Sequence, residues 1–90
     1  MIKHLRILVV DDDAGVIDLL SAFLDSRGYS VASARNGREA LALLETETFD
    51  LIISDIEMAE INGYELLRQT REKHPQIGIV LMTGYTESHP

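Results

Sequence analysis

The sequence predicts an open α/β domain in which a parallel sheet carries helices on both faces. Short apolar runs alternate along the chain with segments whose apolar residues recur every three or four positions, which indicates strands alternating with amphipathic helices. Runs such as Ile7 to Val10 and Ile79 to Met82 are apolar at consecutive positions, as expected for strands covered on both faces. The predicted order is β-α-β-α-β-α-β, with right-handed crossovers.

The strands are predicted from short segments rich in Val or Ile between turn residues. They cover Ile7 to Val10, Ser30 to Ala34, Leu51 to Ser54 and Ile77 to Met82. No Ser- or Gly-rich linker, internal repeat or low-complexity tract interrupts this order. Residues 1–90 are therefore expected to form one domain or a piece of one.

Three helices are predicted between the strands from their apolar stripes. The stripes are Val16, Ile17, Leu19, Leu20, Phe23 and Leu24 in the first helix, Ala40, Leu41, Leu43 and Leu44 in the second, and a weaker one of Tyr64, Leu66 and Leu67, extended by Thr70, in the third. Gly28 is expected to close the first helix, and Asn36 with Gly37 to open the second. His74 should end the third, because a residue before a proline resists helical geometry.

Composition excludes several classes of protein. The chain has no cysteine, which excludes disulfides and thiolate metal sites, and its apolar runs are too short to span a bilayer. A net charge of -7 argues against a nucleic-acid surface, because Arg27, Arg35 and Arg38 are interspersed with acids. The N-terminal residues lack the pattern of a signal peptide. A cytoplasmic protein that binds neither membrane nor nucleic acid is expected.

Acidic residues follow two of the predicted strands. Asp11, Asp12 and Asp13 come directly after the first strand, and Asp55 comes directly after the third. The carboxyl ends of parallel strands share one edge of the sheet, where ligands of such folds bind. Crowded carboxylates raise one another's pKa unless a cation neutralises them. Magnesium is the expected ion because it is hard and prefers oxygen ligands.

An aspartate beside such an ion can also be a nucleophile toward phosphorus. A phosphoryl group in transfer spreads negative charge over its oxygens, so a metal together with hydroxyl and amide donors would stabilise it. Thr83 follows the fourth predicted strand, which puts its hydroxyl on the same edge as Asp55. These positions together predict a phosphoryl site.

Simpler structural roles compete for some of these residues. Asp13 is expected to cap the first helix, which starts near Ala14. Asp55 taken alone would be an ordinary turn residue, although its combination with the acids after the first strand favours a site. The side chain of Glu57 could point at the site or face solvent, and its spacing leaves both open. Asn62 with Gly63 indicates the turn into the third helix.

Three blocks of the chain, in this order and spacing, resemble the receiver domain of two-component response regulators. They are Ile7-Leu8-Val9-Val10-Asp11-Asp12-Asp13, Asp55-Ile56-Glu57-Met58 followed by Asn62-Gly63, and Ile79-Val80-Leu81-Met82-Thr83-Gly84. The resemblance covers nearly the whole chain and implies a flavodoxin-like (CheY-like) sheet. It also implies that the fold is incomplete here, because the family continues with a further helix, a fifth strand and a last helix.

The resemblance implies a role for each matching residue. Asp55 would accept a phosphoryl group from a sensor histidine kinase, and Thr83 would be the switch hydroxyl that turns toward it. Asp12, Asp11, Asp55 and the backbone carbonyl of Glu57 would hold Mg²⁺. The domain would then be a phosphoacceptor that assists its own phosphorylation and dephosphorylation, and not a turnover enzyme.

Two departures from the family pattern carry further expectations. Ala59 stands where the family usually has a proline, which should loosen the loop after Asp55. The chain ends at Pro90, so the resemblance predicts a truncated receiver without the fifth-strand lysine, since neither Lys3 nor Lys73 lies at that position. The fourth strand would then be an exposed apolar edge, which predicts a homodimer or a strand-exchanged assembly.

Two other functions remain open from the sequence. In the first, the receiver-like fold is a protein-interaction module that works without phosphorylation. In the second, the segment from Val9 to Val16 faintly resembles the first motif of haloacid-dehalogenase-type phosphatases, which would make the chain a fragment of such an enzyme. That family usually has glycine where Ala14 stands, and it gives Asp55 no role.

Overall fold

The computed structural model describes residues 4–82, which form a four-stranded parallel sheet and three helices. The elements are β1 (Arg6–Val10), α1 (Ala14–Ser26), β2 (Ser30–Ala34), α2 (Gly37–Thr46), β3 (Leu51–Asp55), α3 (Gly63–Lys73) and β4 (Gly78–Met82). This order confirms the predicted alternation. The main shift in the bounds concerns Asp55, which is the last residue of β3 and was predicted to follow that strand.

The strands lie in the order β2-β1-β3-β4, all parallel. The crossover through α1 places β2 on one side of β1, and the crossover through α2 places β3 on the other side of β1. The winding therefore reverses between β1 and β3. The paired strands end level, because Val10 is in register with both Ala34 and Ser54. The residues that follow β1 and those that end β3 therefore meet at one edge of the sheet.

Alternate residues of β1 face opposite sides of the sheet, and the four apolar ones, Ile7 to Val10, are all buried. Leu8 and Val10 belong to the larger core beneath α2 and α3, whereas Ile7 and Val9 belong to a smaller core beneath α1. This explains the uninterrupted apolar run of β1, as predicted for a strand covered on both faces. The described part of β4 differs, because Val80 is 48% exposed and the strand is not covered on both faces. This agrees with the exposed apolar edge that the resemblance predicts for the fourth strand.

Helix α1 buries a narrower stripe than its sequence predicts. Ile17 and Leu24 are buried against the sheet, but Leu19 is 73% exposed and Phe23 is 53% exposed. On a helix of 3.6 residues per turn, Leu19 and Phe23 lie about 200° and 240° around the axis from Ile17. A single helix on this face covers the sheet with one side only, so both side chains are left facing outward.

Each helix begins with a side-chain cap at the carboxyl edge of the sheet. The carboxylate of Asp13 accepts from the Gly15 amide at 2.8 Å, which confirms the predicted cap of α1. Asn36 and Asn62 cap α2 and α3 through the amides three residues ahead. These caps fix where the loops at this edge end.

Within residues 4–82, no helix has the length and apolar character that crossing a bilayer requires.

Candidate metal centre

The structure brings three carboxylates together at the edge where β1 and β3 end. Oxygen atoms of Asp11, Asp12 and Asp55 all lie within 4.8 Å of one another. Asp11 directly follows β1 and is only 5% exposed, Asp12 is exposed, and Asp55 is partly buried at the end of β3. The juxtaposition predicted from parallel topology is therefore present, although the two segments are far apart in the chain.

The Asp11 carboxyl is the buried member of this cluster, and its pKa is raised. Burial raises the pKa of its carboxyl, and the nearby charges of Asp55 and Asp12 raise it further. The amide of Asp13 donates a 2.9 Å hydrogen bond to Asp11 Oδ1 and partly opposes this rise in pKa. A cation at this point would favour the charged form again. The donors are all oxygen atoms, as Mg²⁺ prefers, so the residues fit that ion.

Asp55 is held at both its side chain and its backbone. The Glu57 amide donates to Asp55 Oδ1 at 3.3 Å, and the Ser54 hydroxyl donates to the Asp55 carbonyl at 2.9 Å. Glu57 itself is exposed, so the contact with the site that the structure shows is made by its backbone. One carboxylate oxygen of Asp55 is thereby oriented, in a position that solvent can reach.

Gly63, the first residue of α3, packs directly against the backbone of Asp55. A Cβ at this position would lie 2.5 Å from the Asp55 carbonyl oxygen and 2.8 Å from the Ile56 Cα. The Gly63 amide also donates to the Ile56 carbonyl at 2.8 Å. The sequence indicated Asn62 with Gly63 as the turn into α3 and did not reveal this contact. Only a residue without a side chain allows α3 to start this close to Asp55.

Arg35 is a second residue whose place the sequence did not reveal. It follows β2, and its guanidinium donates to the Asp12 backbone carbonyl at 3.4 Å, next to the acidic cluster. Its amide donates to the Glu39 carboxylate, which ties this loop to the first turn of α2. The predicted switch hydroxyl of Thr83 lies outside the described residues.

Comparison with known proteins assigns the chain to a family. A model of the response regulator receiver domain matches residues 7–89. The transcriptional regulatory protein ZraR of Klebsiella oxytoca is 44% identical over 84 residues, which are 93% of this chain and 19% of ZraR. The response regulator SaeR of Staphylococcus aureus is 30% identical, over 93% of this chain and 36% of SaeR. The chain thus spans a minor part of these longer relatives.

Solved structures give the same result. The response regulator TrrA of Thermotoga maritima, in complex with Mg(2+)-BeF, superposes with a TM-score of 0.85 at 40% identity, over 93% of this chain and 73% of TrrA. The chemotaxis response regulator CheY4 of Vibrio cholerae gives a TM-score of 0.88 at 33% identity, over 94% of this chain and 72% of CheY4. TrrA has also been solved in complex with the histidine kinase ThkA, with a TM-score of 0.83 at 40% identity, over 94% of this chain and 73% of that one.

These similarities do not favour the phosphatase-fragment alternative, because the receiver model matches the acidic segments and the intervening chain together. The strand order and the helices on both faces of the sheet are those of CheY-type neighbours. The chain belongs to the family of response regulator receiver domains.

Proposed function

We propose that this domain is a phosphoacceptor, in which Asp55 takes a phosphoryl group from a histidine kinase in the presence of Mg²⁺. The observation that carries the proposal is the convergence of Asp11, Asp12 and Asp55, whose carboxylate oxygens lie within 4.8 Å of one another at the ligand-binding edge of the sheet. The Mg(2+)-BeF complex of the 40% identical TrrA supports it. The burial of the Asp11 carboxylate beside two other carboxylates disfavours its charged form unless a cation is bound.

Asp11, Asp12, Asp55 and the backbone carbonyl of Glu57 are the proposed holders of the ion. When bound, Mg²⁺ would supply positive charge that offsets the negative charge on the oxygens of the incoming phosphoryl group. The Asp13 amide orients Asp11, and the Glu57 amide engages Asp55 Oδ1. Gly63 holds the backbone of Asp55 in place through close packing. These contacts preorganise the nucleophile and its neighbours.

In the transfer step, a carboxylate oxygen of Asp55 attacks phosphorus and forms a P–O bond. The bond from phosphorus to the donor's histidine nitrogen breaks, and that nitrogen keeps the electron pair. The product is an acyl phosphate on Asp55, which water later hydrolyses. In this proposal the domain assists its own phosphorylation and dephosphorylation and is not a turnover enzyme. Thr83 keeps its predicted role as the switch hydroxyl.

The partner surface is proposed to include α1. This helix starts beside the acidic cluster at Asp13, and it leaves Leu19 and Phe23 largely exposed. Exposed large apolar side chains on a monomer often mark a docking surface. The complex of TrrA with the histidine kinase ThkA supports a kinase as the partner. A cytoplasmic location belongs to the same proposal and is consistent with a response regulator receiver domain.

Self-association is a separate part of the proposal. Among the described residues β4 is the terminal strand of the sheet, and Val80 on it is 48% exposed. An apolar edge strand offers unpaired backbone groups to a second chain. We therefore propose a homodimer or strand-exchanged assembly through β4. Sedimentation equilibrium at high protein concentration tests it, and a monodisperse monomer would contradict it.

Intact-mass spectrometry tests the phosphoacceptor proposal. The chain is incubated with Mg²⁺ and a small phosphodonor, and compared with Asp55→Asn and with Asp25→Asn, an exposed acid at the far end of α1. One phosphoryl adduct is expected on the parent and on Asp25→Asn, and none on Asp55→Asn. Circular dichroism checks that all three are folded.

An unmodified but folded parent chain would overturn the phosphoacceptor proposal. The remaining alternative would then be an interaction module that works without phosphorylation. Pull-down by a histidine kinase that is equally strong for the parent and for Asp55→Asn would support that alternative.

A further inference from the structure

The loop from β3 to α3, residues 56–62, is linked to α2 by contacts that the site does not account for. Arg38 on the first turn of α2 donates from Nε and Nη2 to Glu60 Oε1, at 3.4 and 3.2 Å. Gly37 lies against the next loop residue, since a Cβ there would lie 2.8 Å from the Cβ and the carbonyl oxygen of Ile61. The start of α2 therefore contacts two consecutive residues in the middle of the loop.

Glu60 has an unfavourable backbone conformation. Its φ is 65°, and it is the one non-glycine with positive φ among residues 4–82. This region disfavours every residue with a Cβ, and glycine would occupy it freely. A glutamate here has a feature that glycine lacks, which is a carboxylate that reaches Arg38. The preceding residue, Ala59, does not restrict the loop as a proline would.

The two ends of the loop are held by the backbone. The Ile56 amide donates to the Met82 carbonyl at 3.1 Å, and the Gly63 amide donates to the Ile56 carbonyl at 2.8 Å. Between these points lies Glu57, whose amide engages Asp55 and whose carbonyl is a proposed metal ligand. The middle of the loop, at Glu60, is where the link to α2 can restrain it.

We propose that Arg38 and Glu60 are positioning residues for the metal centre. Their ion pair holds the loop in the conformation that presents Glu57 to Asp55 and to the cation. The inference rests on the proposed function, because it assumes that the acidic cluster binds Mg²⁺. It extends that function to a pair outside the cluster and couples α2 to the affinity of the site.

Simple electrostatics makes a different prediction, which allows a clear test. Arg38 is a cation at the same edge of the sheet as the acids, so its charge alone would weaken Mg²⁺ binding. Removing that charge would then strengthen binding. Removing the negative charge of Glu60 would weaken binding by the same logic. A positioning role requires that both removals weaken binding. The sign for Arg38 therefore distinguishes the two explanations.

The test is an NMR titration with Mg²⁺ alone on the parent, Arg38→Gln, Glu60→Gln and the double variant. Each single variant is expected to bind about twofold more weakly, as is usual for an exposed ion pair, and the double variant no more weakly than either single one. Arg71→Gln, an exposed cation on the last turn of α3, is the matched control and should leave the affinity unchanged. Stronger or unchanged binding by Arg38→Gln would overturn the inference.

Glu60→Gly separates positioning from stability. Glycine removes the unfavourable φ and the ion pair together, so the thermal midpoint should rise or stay equal while Mg²⁺ binds more weakly. Exchanging the charges in Arg38→Glu with Glu60→Arg should restore binding toward that of the parent. A Glu60→Gly chain that binds Mg²⁺ at least as tightly as the parent would contradict a positioning role.

Asp12→Asn distinguishes failure of this inference from failure of the proposed function. If the parent shows no Mg²⁺ shifts, or if Asp12→Asn binds as the parent does, the metal centre and this inference are both wrong. If Asp12→Asn abolishes binding while Arg38→Gln and Glu60→Gln bind like the parent, only the positioning role is wrong.

Discussion

Val10 and Asp11 are neighbours in the chain and both are buried, yet they belong to regions with opposite energetics. Val10 is fully buried in the core beneath α2 and α3, where burial of apolar surface stabilises the fold. Asp11 is 5% exposed at the carboxyl edge, beside two other carboxylates. The core thus stabilises the domain, whereas the burial of the Asp11 charge at the acidic edge lowers its stability. The proposed function gives this edge a cation to bind.

The larger core is continuous from the sheet to both helices above it. It consists of Leu8, Val10, Ala34, Ala40, Leu44, Phe49, Ile52, Met58, Leu66 and Ile77. At the acidic edge, polar contacts to the backbone orient the side chains in place of apolar packing. Truncation of a core side chain should therefore lower the free energy of unfolding. Removal of a charge from the acidic edge should raise it.

The largest effect is expected for Leu66→Ala. Leu66 on α3 is fully buried, so the cavity and the lost burial should lower the free energy of unfolding by about 2–5 kcal/mol. Leu19→Ala on α1 is the matched control, and because Leu19 is exposed it should change that free energy by less than about 0.5 kcal/mol. Denaturant unfolding measures both. Equal losses would show that the core is not where the stability lies.

Gly63→Ala should affect the core and the edge at once. Its Cβ would lie 2.5 Å from the Asp55 carbonyl, so α3 or β3 must shift. Overpacking of this kind lowers the free energy of unfolding by about 1–3 kcal/mol. The displaced Asp55 should also lose most of its phosphoryl adduct in the mass assay. A variant as stable and as readily modified as the parent would contradict this packing.

Asp11→Asn should raise the thermal midpoint at pH 7 without Mg²⁺. The pKa of Asp11 in the fold is raised above 3.8, mainly by burial, so folding disfavours its charged form. Protonation of Asp11 contributes to the stability of the fold, and this contribution is complete below pH 3.8. It is lost as the pH rises through the pKa of Asp11 in the folded state. The advantage of the variant should therefore shrink toward pH 3.8.

Mg²⁺ should reverse the order of stability of these two chains. Binding to the folded state stabilises the parent, while Asp11→Asn, which lacks one of the charges, should gain less. Asp18→Asn, an exposed acid on α1, is the control and should respond to Mg²⁺ as the parent does. If Asp11→Asn is less stable than the parent at pH 7 without metal, burial of this charge does not weaken the fold.

The smallest effect is expected at Thr70, a polar residue on the buried face of α3. Its side chain is fully buried, and its hydroxyl has no hydrogen-bond partner among the described residues. Thr70→Val keeps the shape and removes the unsatisfied group, so stability should be unchanged or higher by up to about 1 kcal/mol. Thr70→Ser keeps the hydroxyl and removes a methyl, so it should lower stability by about 1 kcal/mol. The reverse order would mean that the hydroxyl has a partner.

Much of the fold and the heart of the site could be predicted from the sequence. The alternation of elements, the cap at Asp13 and the start of α2 at Asn36 with Gly37 follow from local patterns. The meeting of Asp11 and Asp12 with Asp55 follows from parallel topology. Helical periodicity and capping depend on residues only a few positions apart in the chain. The handedness of the crossovers between parallel strands is the same throughout this class of fold.

Packing between elements decided the rest. The exposure of Phe23 depends on how much of the sheet α1 covers, and the requirement for Gly63 depends on how closely α3 approaches Asp55. The contact of Arg38 with Glu60 joins residues separated by a helix and a strand. Local periodicity carries no information about such distances, because they are set by the volumes of all the side chains that pack between the elements.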